Sequence, residues 1–219
     1  MKKFLVSIVA VLLAAPSFAQ FSSGGFELDK ESLYYGVRLG ITSASISGES
    51  VTVGGVTYSS DLGAKVGMTL AGVVGLRVSD TTPVFLESGL YYTERGGKEG
   101  KVTVGYNNLE IPILIKYGIK ASDDIAILPF IGPYFSYAFS GKTKYNDGTT
   151  TVKVGTFDEK KAPTGGLKRA NMGFKIGCGA EYNKLYLEIG YQLGVTNICK
   201  NDDMSAHSNA LFANFGVNF

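Results

Sequence analysis

The final stretch, residues 209–219, constrains the fold most. Phe219, Val217, Phe215, Ala213 and Leu211 are apolar, and between them lie Asn218, Gly216, Asn214, Phe212 and Ala210. An apolar side chain at every second position makes a strand with one greasy face and one polar or small face. About ten residues is also the length that crosses a bilayer when tilted in a barrel wall. The same period recurs upstream, so the rest of the chain can be read from this stretch.

Composition agrees. The chain has 219 residues, room for one domain. Charged residues make up 18%, glycine contributes 29 residues, and tyrosine and phenylalanine 13 each. Soluble domains carry about a quarter charged residues and less glycine. A narrow barrel needs small residues on its inner wall and apolar ones outside. A net charge of only +2 argues against a nucleic-acid partner.

The chain opens on a targeting pattern. Lys2 and Lys3 precede an apolar run over residues 4–14, and Ser17-Phe18-Ala19 forms a small-x-small cleavage site before Gln20. This reads as a secretory signal peptide over residues 1–19, because the apolar run is too short for a comfortable membrane helix. No cysteine follows the site, which argues against a lipoprotein. No later run reaches the ~18 apolar residues of a membrane helix, so membrane residence requires strands. Residues 20–32 read as a polar periplasmic lead-in and residues 33–219 as the barrel.

Eight strands are expected. The first, roughly residues 34–45, sets Tyr35, Val37, Leu39 and Ile41 against Gly36, Arg38, Gly40 and Thr42. The second, 63–78, sets Val66, Met68, Leu70, Val74 and Leu76 against Lys65, Gly67, Thr69, Gly75 and Arg77. The third runs to about Arg95, with Val84, Leu86, Leu90 and Tyr92 opposed to Glu87, Gly89, Tyr91 and Arg95. The fourth ends in residues 108–117, where Leu109, Ile111, Ile113, Ile115 and Tyr117 oppose Asn108, Glu110, Pro112 and Lys116. The fifth covers roughly 125–140, the sixth 169–182 and the seventh begins at Leu185. Residues 46–62, 141–168 and 195–208 read as long loops, 96–100 as a modest turn, and 79–83, 121–124 and 183–184 as short turns. Longer loops at one end and short turns at the other is the outer-membrane arrangement, as is an even strand count.

Alternation alone leaves open which face points in. A soluble lipocalin-like barrel turns its apolar face inward. Here the polar face is mostly Gly, Asn, Ser and Thr, poorer in charge than a solvated surface, so it is expected to line a narrow lumen. That lumen would hold Arg38, Lys65, Arg77, Arg95, Lys116 and Lys175 against Glu87, Glu110, Glu181 and Glu188. Buried charges must be paired or hydrated, and an eight-stranded interior is filled by side chains. The expectation is a plugged, ion-paired barrel. Aromatic residues at strand ends, Tyr35, Tyr117, Tyr182 and Phe219 at one end and Tyr92, Tyr137 and Phe139 at the other, read as interfacial girdles.

Few residues suggest chemistry. Cys178 and Cys199 fall roughly 35 Å apart at the strand rise, too far for a disulfide, so two free thiols are expected, Cys178 facing lipid. His207 has Asp202, Asp203, Ser205 and Ser208 nearby in sequence. A metal site or a lipase-like Ser/His pair is the sharp reading, and a solvated loop histidine the favoured one. The cations of the 141–168 loop could meet lipopolysaccharide phosphates, although Asp147, Asp158 and Glu159 offset them. No catalytic residue, cofactor or metal ligand is assigned.

Several segments carry a family resemblance. They are residues 35–40 (YGVRLG), 85–92 (FLESGLYY), 109–117 (LEIPILIKY), 131–134 (IGPY) and 194–198 (GVTNI). The chain resembles the PorT-like outer-membrane β-barrel proteins of Bacteroidota across essentially its whole mature length. The resemblance implies a transmembrane barrel that tolerates proline at Pro112 and Pro133, and the family's namesake is linked to protein secretion across the outer membrane. No residue here carries that role over.

The expected protein is an all-β, eight-stranded antiparallel up-and-down transmembrane barrel in the outer membrane, with both termini periplasmic and no enzymatic activity. It would act through external loops or periplasmic partners in secretion or envelope integrity. Its expected partners are outer-membrane lipid and lipopolysaccharide, the barrel-assembly machinery during insertion, and an unidentified protein. The alternatives are a lipid A-modifying enzyme and a soluble ligand-binding barrel.

Overall fold

The computed structural model describes residues 33–48, 51–53, 56–58, 61–79, 81–122, 124–146, 150–158, 166–200 and 205–219. The expected signal peptide and lead-in lie outside these residues. The strands in chain order are β1 (Leu33–Gly48), β2 (Val51–Val53), β3 (Val56–Tyr58), β4 (Leu62–Arg77), β5 (Val84–Glu99), β6 (Val102–Tyr117), β7 (Ile119–Lys120), β8 (Ile125–Asn146), β9 (Thr151–Gly155), β10 (Ala170–Tyr182), β11 (Leu185–Gly194) and β12 (Ala206–Asn218).

Eight of them close a ring in the order β1-β4-β5-β6-β8-β10-β11-β12, each antiparallel to the next, with β12 returning to β1. β7 and β9 add short pairings to β8, and β2 and β3 pair only with each other. Closure removes the sheet edges, so no row of backbone N–H and C=O groups is left open to lipid.

The stagger of the ring follows from the pairings. Stepping across partners from Leu33 leads through Leu76, Leu86, Ile115, Ile131, Ile176, Tyr191 and Leu211 to Ser43. The path re-enters β1 ten residues from its start. Ten residues of offset across eight strands give a tilt of about 40° from the barrel axis. Most of this path is apolar and lies on the outer face.

The faces sort by residue parity. Leu39, Ile41, Met68, Leu90, Ile113, Phe174, Ile189, Leu211 and Phe215 are exposed, whereas Arg38, Thr42, Glu87, Glu110, Lys116, Lys175 and Asn214 are buried. Apolar side chains therefore point out and polar ones in, opposite to a lipocalin-like barrel. Gly75 and Gly179 make room inside, where a Cβ would fall 2.0 Å from the Tyr34 ring and 2.2 Å from the Tyr186 hydroxyl respectively.

The structure corrects the expected strand ends. Residues 96–99, read as part of a turn, belong to β5, and the chain reverses at Gly100-Lys101. Gly100 has φ +50°, which glycine adopts without strain. Two glycines and mixed charges imitated a turn, but Gly96 and Gly97 pair with Gly105 and Val104. The fourth barrel strand accordingly starts at Val102. Nor is 141–168 simply a loop: β8 extends to Asn146 and folds back as β9. Within 46–62, β2 and β3 form a further hairpin. The short turn at Asn183 (φ 45°) and Lys184 (φ 74°) has both residues left-handed, the geometry that matches hairpin twist.

Candidate functional site: the barrel interior

Among the described residues, the inward faces bring four cations and four carboxylates out of solvent: Arg38, Arg95, Lys116 and Lys175 with Glu87, Glu110, Glu181 and Glu188. They form two clusters. Nearer the short-turn end, Glu87 accepts from the Tyr34 hydroxyl (2.7 Å) and faces Lys116 Nζ (2.8 Å) and Arg38 Nη2 (3.5 Å). Lys116 also donates to the Tyr186 hydroxyl (2.8 Å) and lies 3.9 Å from Glu188. Arg38 covers the Tyr186 ring at 4.1 Å and donates to Asn218 Oδ1 (2.6 Å). Asn218 in turn donates to Glu181 (2.7 Å), and Asn214 to Glu188 (2.8 Å).

The second cluster centres on Glu110. Arg95 Nη2 donates to Glu110 and to Gln192 Oε1, both at 2.5 Å. Lys175 pairs with the other Glu110 oxygen, which Gln192 Nε2 also reaches (2.8 Å). Lys175 sits 4.2 Å above the Tyr91 ring, and Arg95 5.2 Å from that of Tyr134. Between the clusters lies a stacked pair, Phe130 and Phe212, with centroids 6.3 Å apart. Lys116 lies 5.4 Å from Phe130 and Lys175 5.3 Å from Phe212, so the rings separate the two charge groups.

Apolar groups flank this arrangement. Tyr34, Phe85, Ala126, Leu128 and Tyr186 pack near the short-turn end. At the long-loop end Ile46, Val104, Tyr106, Ala138, Ile198, Cys199 and Ala206 form a buried cluster, with Leu62, Val102, Phe157 and Leu167 against it. A bridge between Leu167 and Cys199 ties the two long connections together over that end.

Two of the expected lumen residues stand apart. Arg77 is half-buried at the short-turn end and donates to the Ser79 carbonyl (2.8 Å). Lys65 is half-buried near the far end of β4 and lines a groove in the barrel wall. It lies where β4 slips register against its neighbours, between Gly63 and Thr69 on one side and Ala44 and Ile46 on the other. Regular alternation could not foresee that slip. Conversely, a search for charges passed over Tyr34, Tyr134, Gln192, Asn214 and Asn218 as network members. All lie on the inward face, and parity was the signal available.

Of the expected girdle residues, Tyr35, Tyr117, Tyr137, Phe139, Tyr182 and Phe219 are exposed and Tyr92 is half-buried. Tyr35 and Phe219 exchange both backbone hydrogen bonds at one end, and Tyr92 meets Phe139 at the other with centroids 6.1 Å apart. Cys178 is exposed among lipid-facing residues, Cys199 is buried, and both are free thiols. Burial pushes the Cys199 thiol up, with Lys168 nearby opposing the shift. His207 approaches Ser205 Oγ at 3.3 Å. Asp202 and Asp203 lie outside the described residues.

No curated protein matches this chain. Among solved structures it is similar to Neisserial surface protein A, at 15% identity and TM-score 0.44, covering 86% of this chain and 98% of that one. A major outer membrane protein from Thermus thermophilus aligns at 12% identity and TM-score 0.46, covering 86% and 100%. OprG from Pseudomonas aeruginosa aligns at 11% and 0.42, covering 88% and 98%. The family described as "Outer membrane protein beta-barrel domain" matches residues 18–200. Its match spans most of the closed, apolar-faced ring, and the chain belongs to the outer membrane protein β-barrel domain family.

Proposed function

We propose that this outer-membrane barrel is non-conducting and non-enzymatic, a rigid carrier for the surfaces it exposes outside the cell and in the periplasm. The observation that carries this reading is the filled interior. Among the described residues, four cations and four carboxylates are buried there, with a phenylalanine pair between the clusters and an apolar cluster at the long-loop end. Moving an ion through would require breaking buried pairs, each costing several kcal/mol when one partner is left alone.

The finer reading, supported only by the resemblance to PorT-like proteins, is a role in secretion or envelope integrity after removal of a signal peptide near Ala19. Insertion would pass through the barrel-assembly machinery. A protein partner would meet the external hairpins or the periplasmic turns.

Conductance tests the central claim. Purified, folded protein in planar lipid bilayers is expected to give no steady channel steps. Large, long-lived open channels from the unmodified protein would overturn it.

A further inference from the structure

A cationic groove lies at the long-loop end of the barrel wall, outside the two buried charge clusters. It has a volume of about 720 Å³ and is lined by Lys65 of β4, Lys142 and Lys144 of β8, Arg169, Phe157 and Asp158, with Gly105 in its floor. Lys65 lies across Gly105, where a Cβ would fall 3.2 Å from Lys65 Cε. Arg169 is fixed by donating to the Ala138 (3.0 Å) and Phe139 (3.2 Å) carbonyls and by stacking 4.3 Å over the Phe157 ring. Among the described residues, none of Lys65, Lys142 and Lys144 has a carboxylate partner. Among the described residues, Asp158 is the one acidic residue in the lining.

Position gives the groove its meaning. Gly105 and Asn107 share the outward parity of β6 with Leu109 and Ile111, which are exposed. Leu109 pairs with Tyr92 and Tyr137 of the aromatic girdle. The groove therefore opens just beyond the girdle at the long-loop end, directly above apolar wall. This is the depth of lipid headgroups, and in the outer-membrane arrangement the long-loop end faces out. Cations at this depth attract anionic lipid at about 1 kcal/mol each, and lysines and arginines are natural phosphate partners.

We infer that this groove binds the phosphorylated headgroup of an outer-leaflet glycolipid, with the acyl chains running down the apolar wall below it. The inference rests on the membrane orientation used above but not on the absence of conductance, so a conducting barrel would leave it intact. Lys65, Lys142 and Lys144 would neutralise phosphate. Arg169, held over Phe157, would form the fixed wall of the site.

The test is native mass spectrometry of the folded, full-length protein in detergent, with lipid A and with enzymatically dephosphorylated lipid A as probes. The unmodified protein is expected to retain lipid A at least tenfold better than the dephosphorylated form. The variant K65Q/K142Q/K144Q should lose roughly a hundredfold in affinity, at about fivefold per cation. The variant K98Q/K120Q, which removes cations outside the groove, should bind as before. An SDS-gel mobility shift on boiling checks that each variant is folded. Equal retention of both glycolipids, or undiminished lipid A binding by the folded triple variant, would overturn the inference. Complete displacement by millimolar inorganic phosphate would also overturn it, since the site would then hold free phosphate.

Discussion

At the scale of single residues, Glu110 has the most demanding position. It is fully buried and holds Arg95, Lys175 and Gln192 at once. Glu110→Ala would leave two cations without a carboxylate in a water-poor interior. The expected loss is about 3–5 kcal/mol, the range for breaking a buried pair by removing one partner. It would be read as a fall in the urea midpoint of the protein folded in micelles. Glu110→Gln keeps an acceptor and should cost less. Equal, small effects from both would mean that the pairs contribute little to stability. Parity explains why such residues can be found in a sequence: once Leu109 and Ile111 face lipid, Glu110 must face in. The partners are not legible in the same way. Glu110 and Gln192 lie 82 residues apart and meet only through the ring's stagger, which no local pattern encodes.

At the scale of strands, glycines and aromatic rings share the inner wall by turns. Gly75 of β4 faces the Tyr34 ring and Gly179 of β10 the Tyr186 hydroxyl, and these tyrosines in turn hold Glu87 and Lys116. Gly75→Ala would push a methyl into the Tyr34 ring. A cost of about 1–3 kcal/mol is expected from overpacking, again read from the urea midpoint. Gly72→Ala, with open space at its Cβ, is the matched control and should stay near neutral. An equal loss at both positions would exclude the Tyr34 ring contact as the cause, since glycine's lost backbone freedom acts in the stabilising direction. Strand existence was legible from alternation, but strand ends were not. β5 runs through Gly96 and Gly97 because β6 pairs with them, and β8 continues past Ser140 because β9 returns along it. Residues 96–100 have turn composition. A distant partner overrides it, and a sequence shows the composition without the partner.

At the scale of the whole molecule, the barrel should behave as one cooperative object. Protein extracted from outer membranes without heating is expected to run at a different apparent size from the boiled sample. Its intact mass should correspond to a chain starting at Gln20. Identical mobility, with the protein in the soluble periplasmic fraction, would contradict the membrane reading. A mass that includes residues 1–19 would contradict cleavage alone. Neither result depends on the charge clusters, so the measurement separates the fold from what fills it.

The seam between β1 and β12 also sets the timing of folding. Tyr35 and Phe219 exchange backbone hydrogen bonds, and Arg38 reaches Asn218 across 180 residues of chain. The earliest strand to emerge therefore waits for the latest before its outer edge is covered. Until then the chain is an open ribbon with one bare flank and a greasy face, a form prone to wrong partners. The time spent as an open sheet is limited by the pairing of the thirteen-residue strand β12 with β1.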